Sequence, residues 1–321
     1  MQFIDAAATR AALPFDRLIP ALRDMFASGC EVPLRHTHTL PTDTGVSATV
    51  LIMPAWQPGA YLGIKTVNIF AGNAARGLPG LFSTYVLYDA QTGVPLAQID
   101  GDEITSRRTA AASALAASYL APPLANSLLV VGAGRVGSLL AEAYRVVLPI
   151  ERVTVWDRTP AKAEALAGKL RLGGVDAVAA ADLATAVAHS DIVSCATLAT
   201  SPVVQGAWLG SRSHLDLIGS FTPQMREADD ACFAGARIVV DTVEALQKSG
   251  ELLGPMSRSV FDASSIVGTL EDLARALVPG RDATTGRTVF KSVGTALEDL
   301  AAAVLVFENV GAQGLVALSE R

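Results

Sequence analysis

The sequence predicts an α/β protein in which an α+β domain is followed by a domain built on a doubly wound parallel sheet. From about residue 122 onward, short apolar runs alternate with helical segments, which is the pattern of βαβ units. Residues 32–100 instead hold short runs rich in Val, Ile, Thr and Tyr, which favour β-strands. The 321 residues have room for both domains, at roughly 100 to 200 residues each.

The elements before residue 122 follow from spacing and turn signals. Residues 15–27 place apolar side chains at helical spacing with Gly29 just beyond, which predicts an amphipathic helix. The runs STYVLYD and VPLAQID flank the turn signal A-Q-T-G and predict an antiparallel hairpin. An Ala-rich helix is expected over residues 105–120, and Pro122 and Pro123 end it. We place the domain boundary there.

Beyond this boundary, strands and helices alternate. The strand SLLVVG is followed by a helix over residues 135–147, and the strand RVTVWD by a helix over residues 160–170. Further apolar runs lie near residues 191–195, 214–219 and 236–241. The segment FKSVGTALEDLAAAVLVFENV repeats apolar residues at helical spacing and predicts a long final helix, which we expect to pack back on the first domain.

Composition excludes several classes of protein. Hydrophobic residues make up 50% and charged residues 17% of the chain, so we expect a packed globular protein. The net charge of −6 argues against binding of nucleic acid phosphates. Cys30, Cys195 and Cys232 are widely spaced, which predicts neither a disulfide framework nor a zinc site. With no signal-peptide pattern and no apolar window of about 18 residues, the sequence predicts a soluble, cytoplasmic protein without a membrane partner.

A glycine-rich turn predicts a dinucleotide site. The motif G-A-G-R-V-G follows an apolar strand and opens a helix, and Asp157 ends the next strand 25 positions after the first glycine. Glycine is needed there because the backbone must approach a pyrophosphate, whose charge is met by amide groups and by the helix dipole. The expected turn residues are Gly132, Gly134, Arg135, Val136 and Gly137.

The choice between NAD and NADP stays open at this stage. Asp157 would accept a hydrogen bond from a free ribose 2′-hydroxyl, which favours NAD. The adjacent Arg158 and Thr159 could instead hold the 2′-phosphate of NADP. The sequence therefore predicts a Rossmann domain that binds NAD or NADP.

Cations in unusual places indicate a small acidic substrate. Lys65, in YLGIKTVNIF, shares a strand face with mainly apolar neighbours, so it needs an anionic partner unless it is an edge-strand lysine that prevents sheet pairing. Arg107 and Arg108 are expected at the first turn of the helix over 105–120, where the dipole disfavours cations. A guanidinium group there could bind a carboxylate in a bidentate way. Arg35 is a third candidate.

His36 and His38, which follow this arginine, form an H-x-H pair without further obvious metal ligands. We therefore predict no metal site. Solvation of one arginine of the pair at 107 and 108 remains the alternative to an anion partner.

Four segments, in the same order from about Arg35 to Asn309, carry a resemblance to a known family. They are GIKTVN with Asn73 and Gly77 following, LYDAQTGVPLAQIDGDEITSRRTAAASALAA, VVGAGRVG and FKSVGTALEDLAAA. In these segments the sequence resembles the ornithine cyclodeaminase/mu-crystallin family. The resemblance implies a substrate-binding and dimerisation domain formed by residues 1–121 and 292–321, completed by the C-terminal helix. It also implies a Rossmann domain over residues 122–291 and a homodimer.

The resemblance assigns roles to matching positions. Substrate-binding roles fall on Arg35, Lys65, Arg108 and Thr109. This selects Arg108 over Arg107, and it makes Lys65 and Arg108 the expected catalytic residues. Thr197, in CATLATSPVV, resembles a cofactor-proximal position. The glycines of the turn match the family, although Val136 stands where many members have Gln.

Two positions depart from the members that cyclise ornithine. Phe221, in GSFTPQMRE, stands where those members carry an acidic residue that transfers protons. Leu51, two places before Met53, stands where they carry a Glu that holds the distal amine of the substrate. If the alignment shifts by one or two residues, Glu227 could serve as the acid.

These observations predict an NAD(P)-dependent reductase of a small imino acid of the 1-pyrroline-2-carboxylate type. The three cations would bind the substrate carboxylate, and Lys65 could supply the proton to the imine nitrogen if burial lowers its pKa. The alternatives are ornithine cyclodeaminase, a lyase that uses NAD to convert ornithine to proline and ammonia, and a mu-crystallin-like ligand-binding protein regulated by NADP. Alanine dehydrogenase activity is also left open.

Overall fold

The computed structural model describes residues 1–43 and 45–319, without the side chains of Ala74 and of residues 313–319. Its contacts divide the chain into a first unit, residues 1–108 and 295–321, and a second unit, residues 109–294. The last two residues of the expected first domain, 320–321, lie outside the described residues. The boundary predicted at residues 121 and 122 stays a prediction.

Fourteen strands and ten α-helices are assigned within the described residues. The strands are β1 (Gln2–Ile4), β2 (His36–Leu40), β3 (Ala48–Trp56), β4 (Tyr61–Ile69), β5 (Leu81–Asp89), β6 (Pro95–Asp100), β7 (Ser127–Val131), β8 (Arg152–Trp156), β9 (Asp176–Ala179), β10 (Ile192–Cys195), β11 (His214–Leu217), β12 (Arg237–Val240), β13 (Ile266–Thr269) and β14 (Thr288–Lys291). The helices are α1 (Ala6–Ala12), α2 (Phe15–Ser28), α3 (Gly101–Leu120), α4 (Gly137–Val147), α5 (Pro160–Leu172), α6 (Leu183–Ala188), α7 (Ala245–Lys248), α8 (Gly250–Ser257), α9 (Leu270–Ala274) and α10 (Ala296–Ser319).

The first unit is built on a six-stranded sheet with the order β1-β6-β5-β4-β3-β2. β1 pairs with β6 in parallel, and the other neighbours are antiparallel. The predicted hairpin is confirmed as β5 and β6, and the predicted first amphipathic helix as α2, which ends at Gly29 with a φ of 80°. Helix α10 packs against α2 and against β3 and β4. The final helix thus completes the core of this unit.

Helix α3 begins at Gly101, four residues before the start that the sequence predicts. Asp100 causes the earlier start, because its side chain accepts a hydrogen bond from the backbone N–H of Glu103 at 2.8 Å and so caps the helix. Arg107 and Arg108 therefore lie in the second turn. The expectation that they stand at the first turn, where the dipole calls for an anion, was wrong.

The second unit is built on an eight-stranded sheet with the order β13-β12-β14-β11-β10-β7-β8-β9, and all neighbours are parallel. Strands β7 to β11 follow the doubly wound order 3-2-1-4-5, so the predicted fold class is confirmed. Phe290 and Lys291 were wrongly included in the segment of the final helix, and no strand was predicted over residues 288–291. These residues form β14, a buried strand between β11 and β12.

The core of the second unit contains a buried carboxylate. Asp216, on β11, accepts hydrogen bonds from the hydroxyl groups of Tyr144 at 2.8 Å, Ser113 at 3.1 Å and Ser194 at 2.5 Å. Burial raises the pKa of Asp216 to about 6, although the three donors oppose the shift. Three hydroxyl donors therefore satisfy an ionisable group that apolar side chains would otherwise isolate.

The described helices were also compared with the dimensions of a bilayer. Within residues 1–43 and 45–319, no helix combines the length and the apolar character that crossing a membrane requires.

Candidate active site

The glycine-rich turn joins β7 to α4, and each of its glycines has a distinct environment. Gly132 has a φ of 104°, and a Cβ there would lie 2.7 Å from the carbonyl oxygen of Ala196. A Cβ at Gly137 would lie 1.9 Å from the carbonyl oxygen of Gly132, so only glycine fits between strand and helix. A Cβ at Gly134 would meet no atom within 4 Å. The backbone at residue 134 is thus open to the approach of another group, which fits a pyrophosphate.

Asp157 is fixed to this turn. Its Oδ2 accepts a hydrogen bond from the backbone N–H of Ala133 at 2.9 Å, and its Oδ1 accepts one from the backbone N–H of Thr159 at 2.8 Å. Each carboxylate oxygen keeps a further acceptor site, so the group can still receive ribose hydroxyls. Arg158 and Thr159 are exposed beside it. The turn and this carboxylate therefore fit a dinucleotide, as the sequence predicts.

Thr197 lies beside the turn, after β10. Its Cγ2 atom would be 3.1 Å from a Cβ at Gly132. Its backbone N–H and its hydroxyl donate to Glu227 Oε1 at 2.7 and 2.8 Å, and Gly219 N–H donates to Glu227 Oε2 at 2.7 Å. Burial raises the pKa of Glu227 to about 8. Glu227, which the sequence left open as an acid, is engaged in holding the loops that follow β10 and β11.

Exposed apolar side chains follow the carboxyl ends of three strands of the second sheet. Leu198 follows β10, Phe221 follows β11 and Val243 follows β12, and all three are exposed. Open α/β sheets bind ligands at this carboxyl edge. Phe221 offers no ionisable group at the position where the sequence resemblance implies an acid in cyclising members. Leu198 and Val243 were not predicted from the sequence, because isolated apolar residues in loops form no recognisable pattern.

Lys65 is buried in the centre of the first sheet. It lies on β4, between Met53 on β3 and Tyr85 on β5, and is 2% exposed. The alternative of an edge-strand lysine was therefore wrong. Its Nζ lies 2.6 Å from Asp299 Oδ2. Burial lowers the pKa of Lys65 to about 8, and the charge of Asp299 opposes this shift.

Arg108 is paired with two buried carboxylates from α10. Its Nη1 contacts Glu298 Oε2 at 2.5 Å, and its Nε donates to Asp299 Oδ1 at 2.9 Å. Burial opposes ionisation of Asp299, yet the two cations hold the pKa of its carboxyl below the usual value. A single carboxylate thus joins Lys65 and Arg108. Glu298 and Asp299 were not predicted from the sequence, because they lie in the first turn of α10, where acids are common.

The remaining cations have different surroundings. Arg35 is partly buried and close enough to Lys65 for its charge to lower the pKa of that lysine. Arg107 donates from Nε to the carbonyl oxygen of Leu13 at 2.7 Å and lies 4.2 Å over the ring of Phe15. The structure therefore gathers Arg35, Lys65 and Arg108 and directs Arg107 elsewhere. Thr109 is the next residue of α3 and is partly buried, and its role stays a prediction.

Leu51 lies on the same sheet face as the buried lysine. Met53 pairs in register with Lys65, and side chains two residues apart on a strand share a face. An apolar side chain thus stands at the position where the sequence resemblance implies, for cyclising members, a carboxylate that holds a distal amine. A substrate with a second ammonium group would find no carboxylate from residue 51.

Known proteins resemble this chain over most of its length. The sequence model of the Ornithine cyclodeaminase/mu-crystallin family matches residues 16–314. The chain is 43% identical over 276 residues to a Delta(1)-pyrroline-2-carboxylate reductase of Paracoccus denitrificans, covering 83% of this chain and 87% of that protein.

Two solved structures resemble the fold closely. The first is Delta(1)-pyrroline-2-carboxylate reductase of Thermococcus litoralis in complex with NADH and L-proline, with a TM-score of 0.91, 29% identity and 98% of each chain covered. The second is an archaeal alanine dehydrogenase dimer with bound NAD, with a TM-score of 0.89, 27% identity, and 98% of this chain and 97% of that chain covered. The resemblance inferred from sequence is confirmed, and the chain belongs to the ornithine cyclodeaminase/mu-crystallin family.

Proposed function

We propose that the protein is an NAD(P)H-dependent reductase of a small cyclic imino acid of the 1-pyrroline-2-carboxylate class. This proposal rests on the buried cations Lys65, on β4, and Arg108, on α3, together with the apolar Leu51 on the sheet face of Lys65. Such a site suits a substrate with one carboxylate and no distal ammonium. The relatives in Paracoccus denitrificans and Thermococcus litoralis bear the same activity in their names.

The residues of the first unit would divide the work between binding and proton transfer. Arg108 and Arg35 bind the substrate carboxylate, because a guanidinium group matches a carboxylate in geometry and charge. Lys65 donates a proton to the imine nitrogen, since its pKa of about 8 makes it a stronger acid than an exposed lysine. The cofactor, when bound, supplies the hydride to the imine carbon.

The second unit would hold the cofactor. The turn that accepts the pyrophosphate is shaped by Gly132, Gly134 and Gly137. Asp157 accepts a hydrogen bond from a hydroxyl group of the adenosine ribose. The fixed carboxylate favours NAD, whereas the exposed Arg158 is available for the phosphate of NADP. Arg135, Val136, Thr159 and Thr197 complete the residues that we assign to this cofactor.

The test follows nicotinamide absorbance with purified protein, NADH or NADPH, and 1-pyrroline-2-carboxylate. A parallel sample contains ornithine and NAD and is assayed for ammonia and proline. We expect stoichiometric oxidation of the reduced cofactor with the imine and no ammonia from ornithine. Release of ammonia and proline from ornithine, without net cofactor change, would instead establish ornithine cyclodeaminase. Oxidation with pyruvate and ammonia alone would point to alanine dehydrogenase, and ligand binding without turnover to a mu-crystallin-like binding protein.

We further propose that the protein forms a homodimer through the open face of the first sheet. Apolar side chains from three adjacent strands meet there and are partly exposed: Pro54, Trp56, Leu62, Ile64, Val86 and Tyr88. A contiguous apolar surface of this kind is typical of an interface. Light scattering should give the mass of a dimer for the wild type and of a monomer for Ile64→Asp. A monomeric wild type would contradict this assignment.

We also propose a cytoplasmic location. Cys195 and Cys232 are buried free thiols in the structure, and a reducing compartment would keep them so.

A further inference from the structure

We propose that Asp299 is a positioning residue that keeps Lys65 protonated and orients its ammonium group for proton transfer to the substrate nitrogen. This inference rests on the proposed reductase function, because it assigns the proton donor of that reaction. It concerns a residue of α10 that neither the glycine-rich turn nor the cation motifs identify.

The carboxylate of Asp299 contacts both Lys65 and Arg108. Asp299 uses separate oxygens for its two cationic partners, with Oδ2 at 2.6 Å from Lys65 Nζ and Oδ1 at 2.9 Å from Arg108 Nε. A planar carboxylate shared in this way fixes the ammonium group relative to the guanidinium group. Lys65 Nζ also donates a hydrogen bond of 3.4 Å to Thr105 Oγ1, which is long and weak. Asp299 is therefore the contact that fixes the position of Nζ.

The charge of Asp299 also affects the protonation of Lys65. Burial and the charges of Arg108 and Arg35 all favour the neutral form of Lys65, and Asp299 is the group that favours its charged form. The side chains that face this cluster come from several elements: Arg35, Tyr85, Arg108, Glu298 and Asp299, with Cys30 near the Tyr85 hydroxyl. Burial, followed by the charges of Asp299 and Cys30, raises the pKa of the Tyr85 phenol well above its ordinary value, so this phenol stays neutral.

The two acids of α10 have different cationic partners. Glu298 contacts Arg108 at 2.5 Å and gives that guanidinium group a carboxylate of its own. Loss of Asp299 would therefore leave Arg108 with one partner and would remove the anion from Lys65. Loss of Glu298 would leave the ion pair between Lys65 and Asp299 intact. Substitutions at the two adjacent positions should therefore have different consequences.

The experiment compares Asp299→Asn with Glu298→Gln and with Glu308→Gln, an exposed acid of the same helix. The chain contains five lysines, so ¹³C-labelled lysine gives five signals that NMR can follow with pH. The signal lost in Lys65→Met assigns Lys65. We expect Lys65 to titrate near 8 in the wild type and at clearly lower pH in Asp299→Asn. Neither glutamate variant should shift its titration to the same extent.

The kinetic readout is the alkaline limb of kcat for imine reduction. In Asp299→Asn this limb should move to lower pH together with the NMR titration, with a loss of roughly tenfold or more in kcat at pH 8. Glu298→Gln should mainly raise KM, and Glu308→Gln should leave both constants unchanged. Asp299→Glu keeps the charge and should keep the limb close to its wild-type position. This variant provides a second test of the role of the charge if Asp299→Asn does not fold.

Unchanged titration of Lys65 in Asp299→Asn would overturn the inference, as would an unchanged alkaline limb. An inactive wild type would instead overturn the proposed function. The NMR titration would still decide whether Asp299 keeps Lys65 charged, so the two failures can be told apart.

Discussion

The carboxylate of Asp157 accepts a hydrogen bond from the backbone N–H of Ala133 at 2.9 Å, so the end of β8 is tied to the glycine-rich turn. The acid is thereby oriented before any ribose binds. The same hydrogen bond joins the predicted ribose acceptor to the predicted pyrophosphate site, and it makes the cofactor site of the second unit testable by substitution.

Asp157→Ala should weaken NADH binding more than NADPH binding. The variant removes a charged acceptor, and hydrogen bonds to charged groups contribute roughly 1.5 to 3 kcal/mol, so we expect a loss of about tenfold or more in NADH affinity. Titration of nicotinamide fluorescence gives both dissociation constants. Asp176→Ala, at an exposed acid on β9, is the matched control. Equal affinities before and after the Asp157 substitution would contradict the assignment.

Gly134→Ala should weaken the cofactor without weakening the fold. A Cβ at this position meets no atom of the described residues within 4 Å, so the thermal midpoint should stay at the wild-type value while NADH affinity falls. Gly137→Ala is the contrasting variant, because its Cβ would lie 1.9 Å from the carbonyl oxygen of Gly132 and should lower the midpoint. If Gly134→Ala binds NADH as tightly as the wild type, the pyrophosphate does not approach this backbone.

Imine reduction should slow as the pH rises above about 8. Burial lowers the pKa of Lys65 to about 8, so the lysine carries the proton that it donates below this pH and loses it above. A profile of kcat against pH therefore falls on the alkaline side. Lys65→Met should abolish turnover while NADH binding persists, and Lys162→Met, at an exposed lysine, should change neither. Retained turnover in Lys65→Met would exclude the lysine as the donor.

Much of the second unit was predictable because its signals are local. The glycine-rich turn, the apolar strand before it and the acid after the next strand all lie within a short stretch of sequence. Strand β14 was missed because its partners, β11 and β12, lie far away along the chain, and four residues without a turn signal resemble the start of the helix that follows. Only pairing within the sheet defines such a strand.

In the first unit, the cations of the site were predictable from the sequence, but their acidic partners were not. Lys65 and Arg108 stood out as cations among apolar residues, but their partners did not. Acids in the first turn of a helix are ordinarily explained by the helix dipole, so Glu298 and Asp299 look like solvated residues. The contact between Arg108 and Glu298 spans 190 positions of sequence. The fold alone shows that these acids are buried against the cations.

Tyr144→Phe should destabilise the second unit, and by more at pH 8 than at pH 5. The phenol donates to buried Asp216 at 2.8 Å, and burial raises the pKa of that carboxyl to about 6. When folding raises the pKa of a carboxyl, the free energy of unfolding falls as the pH rises from the unfolded-state pKa to the folded-state pKa, because the buried group must then ionise. Removing a donor raises this pKa further, so the loss grows above pH 6.

We expect the free energy of unfolding to fall by about 1 to 3 kcal/mol at pH 8, and by less at pH 5, where Asp216 is mostly protonated. Urea unfolding followed by circular dichroism at both pH values measures the difference. Tyr119→Phe, in the same unit and partly exposed, is the control and should show no such dependence on pH. An equal loss at the two pH values would mean that the hydroxyl group stabilises the fold independently of the charge of Asp216, and that the ionised form of Asp216 does not depend on this hydrogen bond.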